Sequence, residues 1–155
     1  RSLAQLLQSG AILLIDYGFG QNEYYHPQRN QGTLMCHYRH HAHGDPFYLP
    51  GLQDITCHVN FSAIADEANQ SNLELLGYVT QANFLLNCGI TDILSEIPTE
   101  QVDTYLPLAN QLQRLVSPAE LGELFKVIVI AKNIDEPLIG FANGDKSHYL
   151  QETLG

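Results

Sequence analysis

The chain has 155 residues, 45% of them hydrophobic, which suits one globular unit with a core and is too short for two ordinary domains. Its 7 basic and 17 acidic residues give a formal net charge of −10, which argues against nucleic acid or an anionic membrane as a partner and favours a cationic partner surface. The 3 cysteines lack C-x-x-C spacing and no apolar run is long enough to span a membrane, so we expect no disulfide framework, zinc knuckle or membrane insertion.

The first predicted elements are the end of a helix in residues 2–9 and a strand in residues 11–15. The strand sequence AILLI is continuously apolar, which is typical of a parallel strand covered on both faces. Asp16, Tyr17 and Gly18 follow it, and ligands of open α/β sheets gather outside the carboxyl ends of strands. These three residues are therefore candidate site residues, and an Asp-initiated turn is the alternative.

Gly18 and Gly20 do not indicate a dinucleotide-binding loop. The third glycine of that fingerprint would fall at Glu23, and the residues after it are rich in turn formers instead of opening a helix. We expect these glycines to permit a tight turn or the close approach of a ligand at the strand end.

Residues 33–39 alternate weakly between apolar and polar and predict a short strand. Its tail is rich in imidazoles, which are common metal ligands. No cysteine or carboxylate stands at ligand spacing, so we expect surface or substrate-facing side chains and no metal. The histidines concerned are His37, His40, His41 and His43.

The densest group of polar side chains is in residues 53–61, QDITCHVNF. Apolar residues have helical spacing from Phe61 onward, so we predict a short extended segment that runs into a helix with Asn60 as its N-cap. Helix N-termini present unpaired backbone N–H groups that suit a ligand site. Turn and cap chemistry is the alternative for any one of these residues. The candidate site residues here are Gln53, Asp54, Thr56, His58 and Asn60.

The second half of the chain predicts two strands and the helix between them. The strands are residues 73–80, with a bulge or close packing at Gly77, and residues 127–130, which we expect to pair with each other. A helix is expected in residues 81–88. Gln81 stands at its start, where it either reaches a substrate or caps the helix.

A second helical pattern covers residues 99–116 and is interrupted at Pro107, which predicts a kink or two helices. Residues 117–120 have a helix-start signature that leads into a short turn. Beyond Pro137 we predict only a turn at Asn143 and Gly144.

Three stretches of this sequence resemble one known family. PGLQDITCHVNF, GYVTQANFLLNCGI and LGELFKVIVIAK occur in that order and resemble the mitochondrial-dysfunction protein A (MidA) family of S-adenosylmethionine-dependent methyltransferases. The resemblance covers residues 10–132. Eukaryotic members of the family are mitochondrial complex I assembly factors that methylate a protein arginine. The family usually has an acid where this chain has Asn60.

The resemblance implies the C-terminal half of a class I methyltransferase, a Rossmann-like α/β fold. The strand at residues 11–16 would be a central parallel strand, and the two later strands an antiparallel pair at one edge. We therefore expect residues 1–155 to form one unit whose N-terminal cofactor-binding part is absent. S-adenosylmethionine would then bind the full-length protein and not this chain alone. The implied location is cytoplasmic in a bacterium and the mitochondrial matrix in a eukaryote.

The function that the resemblance implies is the substrate side of a protein arginine methyltransferase, with a respiratory complex I subunit as one protein substrate. Acidic groups such as Asp16 and Asp54 would hold a guanidinium by charge-assisted hydrogen bonds. The alternative is a non-enzymatic interaction or assembly module. Uncovered apolar edges also predict pairing with another copy.

The candidate catalytic residues are Asp54, Asp16 and His58. The candidate substrate-binding residues are Tyr17, Gly18, Gln53, Thr56, Asn60 and Gln81.

Overall fold

The computed structural model describes residues 2–39 and 41–151. The strands are β1 (Gly10–Phe19), β2 (Met35–Tyr38), β3 (His41–His43), β4 (Asp54–Thr56), β5 (Val59–Asn60), β6 (Glu74–Thr80) and β7 (Phe125–Lys132). The α-helices are α1 (Ser2–Leu6), α2 (Gln21–Tyr24), α3 (Phe61–Gln70), α4 (Gln81–Asn87), α5 (Ile90–Ser95), α6 (Val102–Val116) and α7 (Leu121–Leu124). Short 3-10 helices cover Pro27–Arg29, Ile139–Phe141 and Ser147–Leu150. No helix in the described part of the chain is both long and apolar enough to cross a membrane.

The larger sheet has the strand order β5-β1-β7-β6 and mixes parallel and antiparallel pairs. β7 runs antiparallel to β1, from the pair Gly10–Lys132 to the pair Tyr17–Phe125, and antiparallel to β6 on its other side. The predicted antiparallel pair of later strands is therefore confirmed. β1 confirms the predicted first strand, is longer than predicted, and runs parallel to β5 where Gly18 pairs with Val59. The expectation that both of its faces are covered is wrong, because Leu13 and Ile15 are exposed on one face. The predicted α/β fold class is confirmed.

The core lies on the two faces of β7, whose apolar run is buried on both sides. Val127 and Val129 pack with Phe141 on one face. On the other face Ile128 packs with Phe61, the first residue of α3. Continuous β-branched sequence suits such a strand, because both faces need apolar side chains.

The smaller sheet is antiparallel, has the order β3-β2-β4 and contains the histidine-rich segment. β2 confirms the strand predicted in residues 33–39. It pairs with β3 through Tyr38 and His41, and with β4 through His37 and Asp54. The histidine-rich tail is therefore one strand of a hairpin, which its local sequence does not predict.

Side-chain caps set the starts of the two helices that flank the larger sheet. Asn60 Oδ1 accepts a hydrogen bond from the backbone N–H of Ala63 at 3.2 Å, so the predicted N-cap of α3 is confirmed. Thr80 Oγ1 accepts from the N–H of Asn83 at 3.2 Å and caps α4. The cap role considered for Gln81 therefore belongs to Thr80.

Three details differ from the expectations. The expectation that no helix opens after Gly20 is wrong, because α2 begins at Gln21, whose N–H donates to the Ser62 hydroxyl 41 residues away at 3.0 Å. Pro107 lies inside one continuous helix, α6, and not between two helices. A proline removes only its own N–H bond, so the remaining bonds carry the helix past it. Helix α5 was not predicted, and Gly89 precedes it in the left-handed region at φ +78°.

Candidate functional site

The carboxyl end of β1 meets the end of the 53–61 segment at Gly18. There Gly18 pairs with Val59, and a Cβ on Gly18 would stand 2.1 Å from the Val59 backbone oxygen. Only glycine allows the two backbones to approach so closely. The close approach expected for this glycine is therefore to a second strand of the same chain, and it brings Tyr17 and Phe19 beside His58.

Three rings form a cluster at this strand end, which we call the His58 cluster: Tyr17, Phe19 and His58. The His58 ring stacks on Phe19 with centroids 4.9 Å apart and 19° between the planes. Its centroid is 5.4 Å from that of Tyr17 in an edge-on contact. The guanidinium carbon of Arg29 lies 3.9 Å from the Phe19 centroid. Such contacts fix the orientation of the imidazole.

The polar atoms of the His58 cluster leave one ring nitrogen unused. The Tyr17 and Thr56 hydroxyls hydrogen-bond to each other, and the backbone N–H of His58 donates to Thr33 Oγ1 at 3.2 Å. His58 Nδ1 is buried and has no hydrogen-bond partner within the described ranges of the chain. An imidazole nitrogen in that position can take up or release a proton.

The two candidate catalytic carboxylates have different surroundings. Asp16 Oδ1 accepts the backbone N–H of Tyr17 at 2.8 Å, but Asp16 lies within β1 opposite Lys126, so the Asp-initiated turn considered as an alternative does not form. Asp54 is exposed on β4, opposite His37. Among the residues that the structure describes, no hydrogen bond or ion pair involves the Asp54 carboxylate. A capping role for Asp54 therefore has no support in its contacts.

The remaining candidates divide into two groups. Asn60 caps α3 directly after the β1–β5 pair and so lies at the same strand end as the His58 cluster. Gln53 and Gln81 bond elsewhere: Gln53 Nε2 donates to the Pro46 carbonyl at 2.7 Å, and Gln81 Nε2 donates to the Leu115 carbonyl at 2.9 Å. The structure thus brings together Tyr17, Gly18, Thr56, His58 and Asn60, and leaves both glutamines bonded to loop or helix carbonyls.

Phe19 also lines a cleft of about 680 Å³ at the same edge of the larger sheet, which we call the acidic cleft. Tyr78 lines it from β6, and Lys126 from the start of β7. No local sequence pattern indicates this cleft, because its walls come from four segments that are far apart in the chain. Its charged residues are Glu23, Glu120, Glu123, Lys126 and Lys146.

Burial and nearby charge act on two groups of the acidic cleft. Burial raises the pKa of the Tyr78 phenol, and the Glu23 carboxylate raises it further, so the phenol keeps its proton at neutral pH. Burial lowers the pKa of Lys126, and Lys146 lowers it too, whereas Glu123 and Glu23 oppose the change. The Lys126 ammonium donates to the backbone oxygen of Glu123.

The histidines of the β2–β3 hairpin do not converge with other ligands. His43 meets Tyr48 edge-on at 5.3 Å, and His37 stands opposite Ala42. His40 lies outside the described residues. Across residues 2–39 and 41–151, no group of three or more His, Cys, Asp or Glu side chains could hold a metal ion. The expected absence of a metal site remains a prediction.

Comparison with known proteins gives a family and one named relative. Residues 1–79 match the model of a family described as "Putative S-adenosyl-L-methionine-dependent methyltransferase". Over 118 residues the chain is 30% identical to a Danio rerio protein named protein arginine methyltransferase NDUFAF7, mitochondrial. This alignment covers 76% of the chain and 26% of the relative, so the chain spans about a quarter of that protein's length.

Two crystal structures of Burkholderia thailandensis proteins have the same fold as this chain, each at 58% sequence identity. The native structure has a TM-score of 0.92, covering 95% of this chain and 39% of the other. The second is bound to S-adenosyl-homocysteine and has a TM-score of 0.91, covering 95% of this chain and 38% of the other.

Proposed function

The chain belongs to the S-adenosyl-L-methionine-dependent methyltransferase family that residues 1–79 match, and we propose that it forms the acceptor-binding side of a protein arginine methyltransferase. The observation that carries this proposal is the convergence of Tyr17, Thr56 and His58 at the carboxyl end of β1, the edge at which α/β sheets bind ligands. The relative named as an arginine methyltransferase supports the choice of acceptor. Because the chain covers 26% of that relative, the activity is proposed for the intact protein that contains it.

The acceptor chemistry assigns a role to each group. A guanidinium is planar, always charged and rich in N–H donors. Methylation replaces one N–H proton with a methyl group, so the site must fix the plane of the guanidinium and accept one proton. We assign the orientation of the guanidinium plane to the Asp54 and Asp16 carboxylates. We assign the acceptance of the released proton to His58, whose Nδ1 has no partner in the described chain.

One observation supports a site for the methyl donor of the family outside the part of the chain that the structure describes. The Val59 backbone occupies the space beside Gly18, so this glycine leaves no room for a ligand. When bound, S-adenosylmethionine supplies an electrophilic methyl group. We propose that it binds the intact protein outside this chain, which belongs to the substrate side of the same domain.

The test is methyl transfer by the intact protein to a matched pair of peptides, one with a single arginine and one with citrulline in its place. Citrulline keeps the shape of the side chain and lacks the charge. We expect a methyl group on an arginine nitrogen and none on the citrulline peptide, read by tandem mass spectrometry. Methylation of another residue type, or equal labelling of both peptides, would contradict the proposal.

A second candidate function is a non-enzymatic assembly module. It is favoured by the exposure of apolar side chains on β1, where Leu13 is 45% and Ile15 is 49% exposed, because exposed apolar surface suits a partner or a second copy. Calorimetry separates the two functions. An intact protein that does not bind S-adenosyl-homocysteine and forms a stable homo-oligomer would support the module and not the enzyme.

Two finer proposals rest on the resemblance to the MidA family. The protein substrate would be a subunit of respiratory complex I, and the protein would act in the cytoplasm of a bacterium or in the mitochondrial matrix of a eukaryote. The name of the Danio rerio relative, which includes the word mitochondrial, supports the second location. Mass spectrometry of complex I from cells with and without the protein tests the substrate, because a methylated arginine should disappear with it.

A further inference from the structure

Two buried polar atoms beside the smaller sheet have no role in the His58 cluster. They are His43 Nε2, at the end of β3, and Gln53 Oε1, just before β4, and neither has a hydrogen-bond partner among the described residues. His43 Nδ1 accepts from the N–H of Asp45 at 3.3 Å, so a neutral His43 ring carries its hydrogen on Nε2. Gln53 Nε2 donates to the Pro46 carbonyl at 2.7 Å, so Oε1 remains as an acceptor. One donor and one acceptor are thus left unpaired, although buried polar groups are nearly always paired.

Both side chains hold one loop, residues 44–52, which we call the cover loop. It connects β3 to β4, the two strands that flank β2. The Tyr48 ring meets the rings of His43 and Tyr38 edge-on, with centroids 5.3 and 6.5 Å apart. Cys36 stands opposite His43 in the sheet, so the two side chains share a face, and Cys36 is fully buried. The cover loop therefore packs on the face of the smaller sheet that carries His43.

The cover loop has few bonds to the rest of the molecule. Among the described residues, those at 45–52 form hydrogen bonds only with partners in residues 43–53. Two of its large apolar side chains face solvent, with Phe47 84% and Leu52 67% exposed. A segment with few contacts to its surroundings opens at low cost. The loop can therefore move off the sheet and close again over a ligand.

A peptide main chain suits the two unpaired atoms. In an extended chain the N–H and C=O of one residue point to the same side, as they do in a β-sheet. The C=O of such a residue can accept from His43 Nε2, and its N–H can donate to Gln53 Oε1. A metal ion or an anion would use only one of the two atoms, because one is a donor and the other an acceptor.

We propose that the cover loop opens to admit an extended segment of the substrate protein, and that His43 and Gln53 bind the main chain of one residue in that segment. Phe47 and Leu52 then pack on the bound segment. Gln53 directly precedes Asp54, to which the guanidinium is assigned, so the bound segment lies beside the acceptor site. The proposal rests on the proposed function for the identity of this segment as substrate.

The test replaces the peptide bonds of an arginine peptide with esters, one bond at a time, because an ester lacks the N–H and keeps the C=O. Affinity for the intact protein is measured by fluorescence anisotropy, which needs no methyl transfer. One ester position should weaken binding to the wild-type protein about fivefold, the effect of one lost hydrogen bond. Gln53→Met should bind the unmodified peptide about fivefold more weakly, and the ester at that position should cost it nothing further.

His43→Asn tests the donor of the pair. Asparagine keeps an acceptor for the Asp45 N–H and lacks Nε2, so binding should weaken about fivefold. His41→Asn is the matched control, an exposed histidine of the same strand, and should bind as the wild type does. An ester series that binds the wild-type protein uniformly would overturn the proposal, and so would an ester penalty that persists in Gln53→Met. The ester series on the wild-type protein needs no variant, so it decides even if a variant fails to fold.

Alkylation of Cys36 by iodoacetamide tests the opening without any peptide. Labelling of the intact protein, read by peptide mass spectrometry, should be about fivefold faster in Tyr48→Ala, which loses the ring contacts that hold the cover loop. Tyr25→Ala, at an exposed tyrosine elsewhere, should leave the rate unchanged. Equal rates in wild-type protein and Tyr48→Ala would overturn the opening.

The outcomes also separate this proposal from the proposed function. An ester effect without methyl transfer supports the cover loop and contradicts the methyltransferase activity. Arginine methylation with a uniform ester series does the reverse. A peptide that does not bind the intact protein at all overturns both.

Discussion

At the scale of single residues, Gly18 determines how the site is built. The parallel β1–β5 contact lies beside it, and the Val59 backbone fills the place of a side chain. Tyr17 and Phe19 flank this glycine and contact His58. A change at Gly18 should therefore act on both stability and the His58 cluster.

Gly18→Ala should destabilise the protein by at least about 2 kcal/mol, because a rigid backbone cannot yield to the added methyl group. The free energy of unfolding from urea titration measures this. Gly44→Ala is the control, since a Cβ there meets no atom within 4 Å and the backbone needs no positive φ. Equal stability of the two variants would show that β5 can separate from β1 without cost.

Asn60 offers a second test at this scale. Asn60→Ala should cost about 1 kcal/mol, because the N–H of Ala63 loses its acceptor at the start of α3. Asn60→Asp should retain the stability, since aspartate caps equally well and its charge suits a helix N-terminus. Thermal unfolding of both variants checks this, and a large loss in Asn60→Asp would contradict the cap account.

At the scale of elements, the sequence predicts those helices and strands that follow from a local pattern of residues. β1, β6 and β7 follow from apolar runs, and the start of α3 follows from helical spacing after Asn60. Helix α2 could not be predicted, because the Ser62 hydroxyl that accepts from its first N–H is distant in sequence. The 3-10 helix Ile139–Phe141 lies over Gly77 of β6, where a Cβ would stand 2.3 Å from the Phe141 ring. The Phe141 ring leaves no room for a side chain at position 77, which explains the glycine there. This contact also joins residues that are far apart in the sequence.

Helix α6 contains an internal proline whose removal should stabilise it. Pro107 has no N–H to donate to the carbonyl four residues earlier, within a helix that runs from Val102 to Val116. Pro107→Ala should raise the free energy of unfolding by about 1–3 kcal/mol. Ala109→Gly, in the same helix, is the control of opposite sign and should lower it by about 1 kcal/mol. A destabilised Pro107→Ala variant would mean that the proline shapes a required bend.

At the scale of the whole molecule, the site was only partly predictable. The sequence predicts both the 53–61 motif and the end of β1 as parts of the site, and Gly18 brings them together. The acidic cleft was missed, because Glu23, Tyr78 and Lys146 belong to three elements or loops that only the folded chain unites. The place of Gln81 at a strand end predicts a site residue, yet its side chain bonds to the Leu115 carbonyl of α6. Position along a strand does not reveal the direction of a side chain.

The proposed separation of the cofactor site from the substrate site gives a further prediction. This chain alone should bind S-adenosylmethionine weakly or not at all, because we propose that the cofactor site lies outside it. Calorimetry on the fragment measures this, with the intact protein as the positive control. A dissociation constant in the low micromolar range for the fragment, about −8 kcal/mol, would show that the cofactor site lies within this chain.

The measurement that tests the central claim most directly is Asp54→Ala and Asp54→Asn in the intact protein. Methylation rate, S-adenosyl-homocysteine affinity and melting temperature are measured on the same samples, with the exposed Asp66→Asn as control. Loss of a charge-assisted contact to the acceptor predicts a fall in rate of about a hundredfold with cofactor affinity unchanged. The melting temperature should also stay unchanged, because the Asp54 carboxylate has no bonded partner among the described residues. Full activity of both variants would contradict the assignment of the 53–61 motif to the acceptor site.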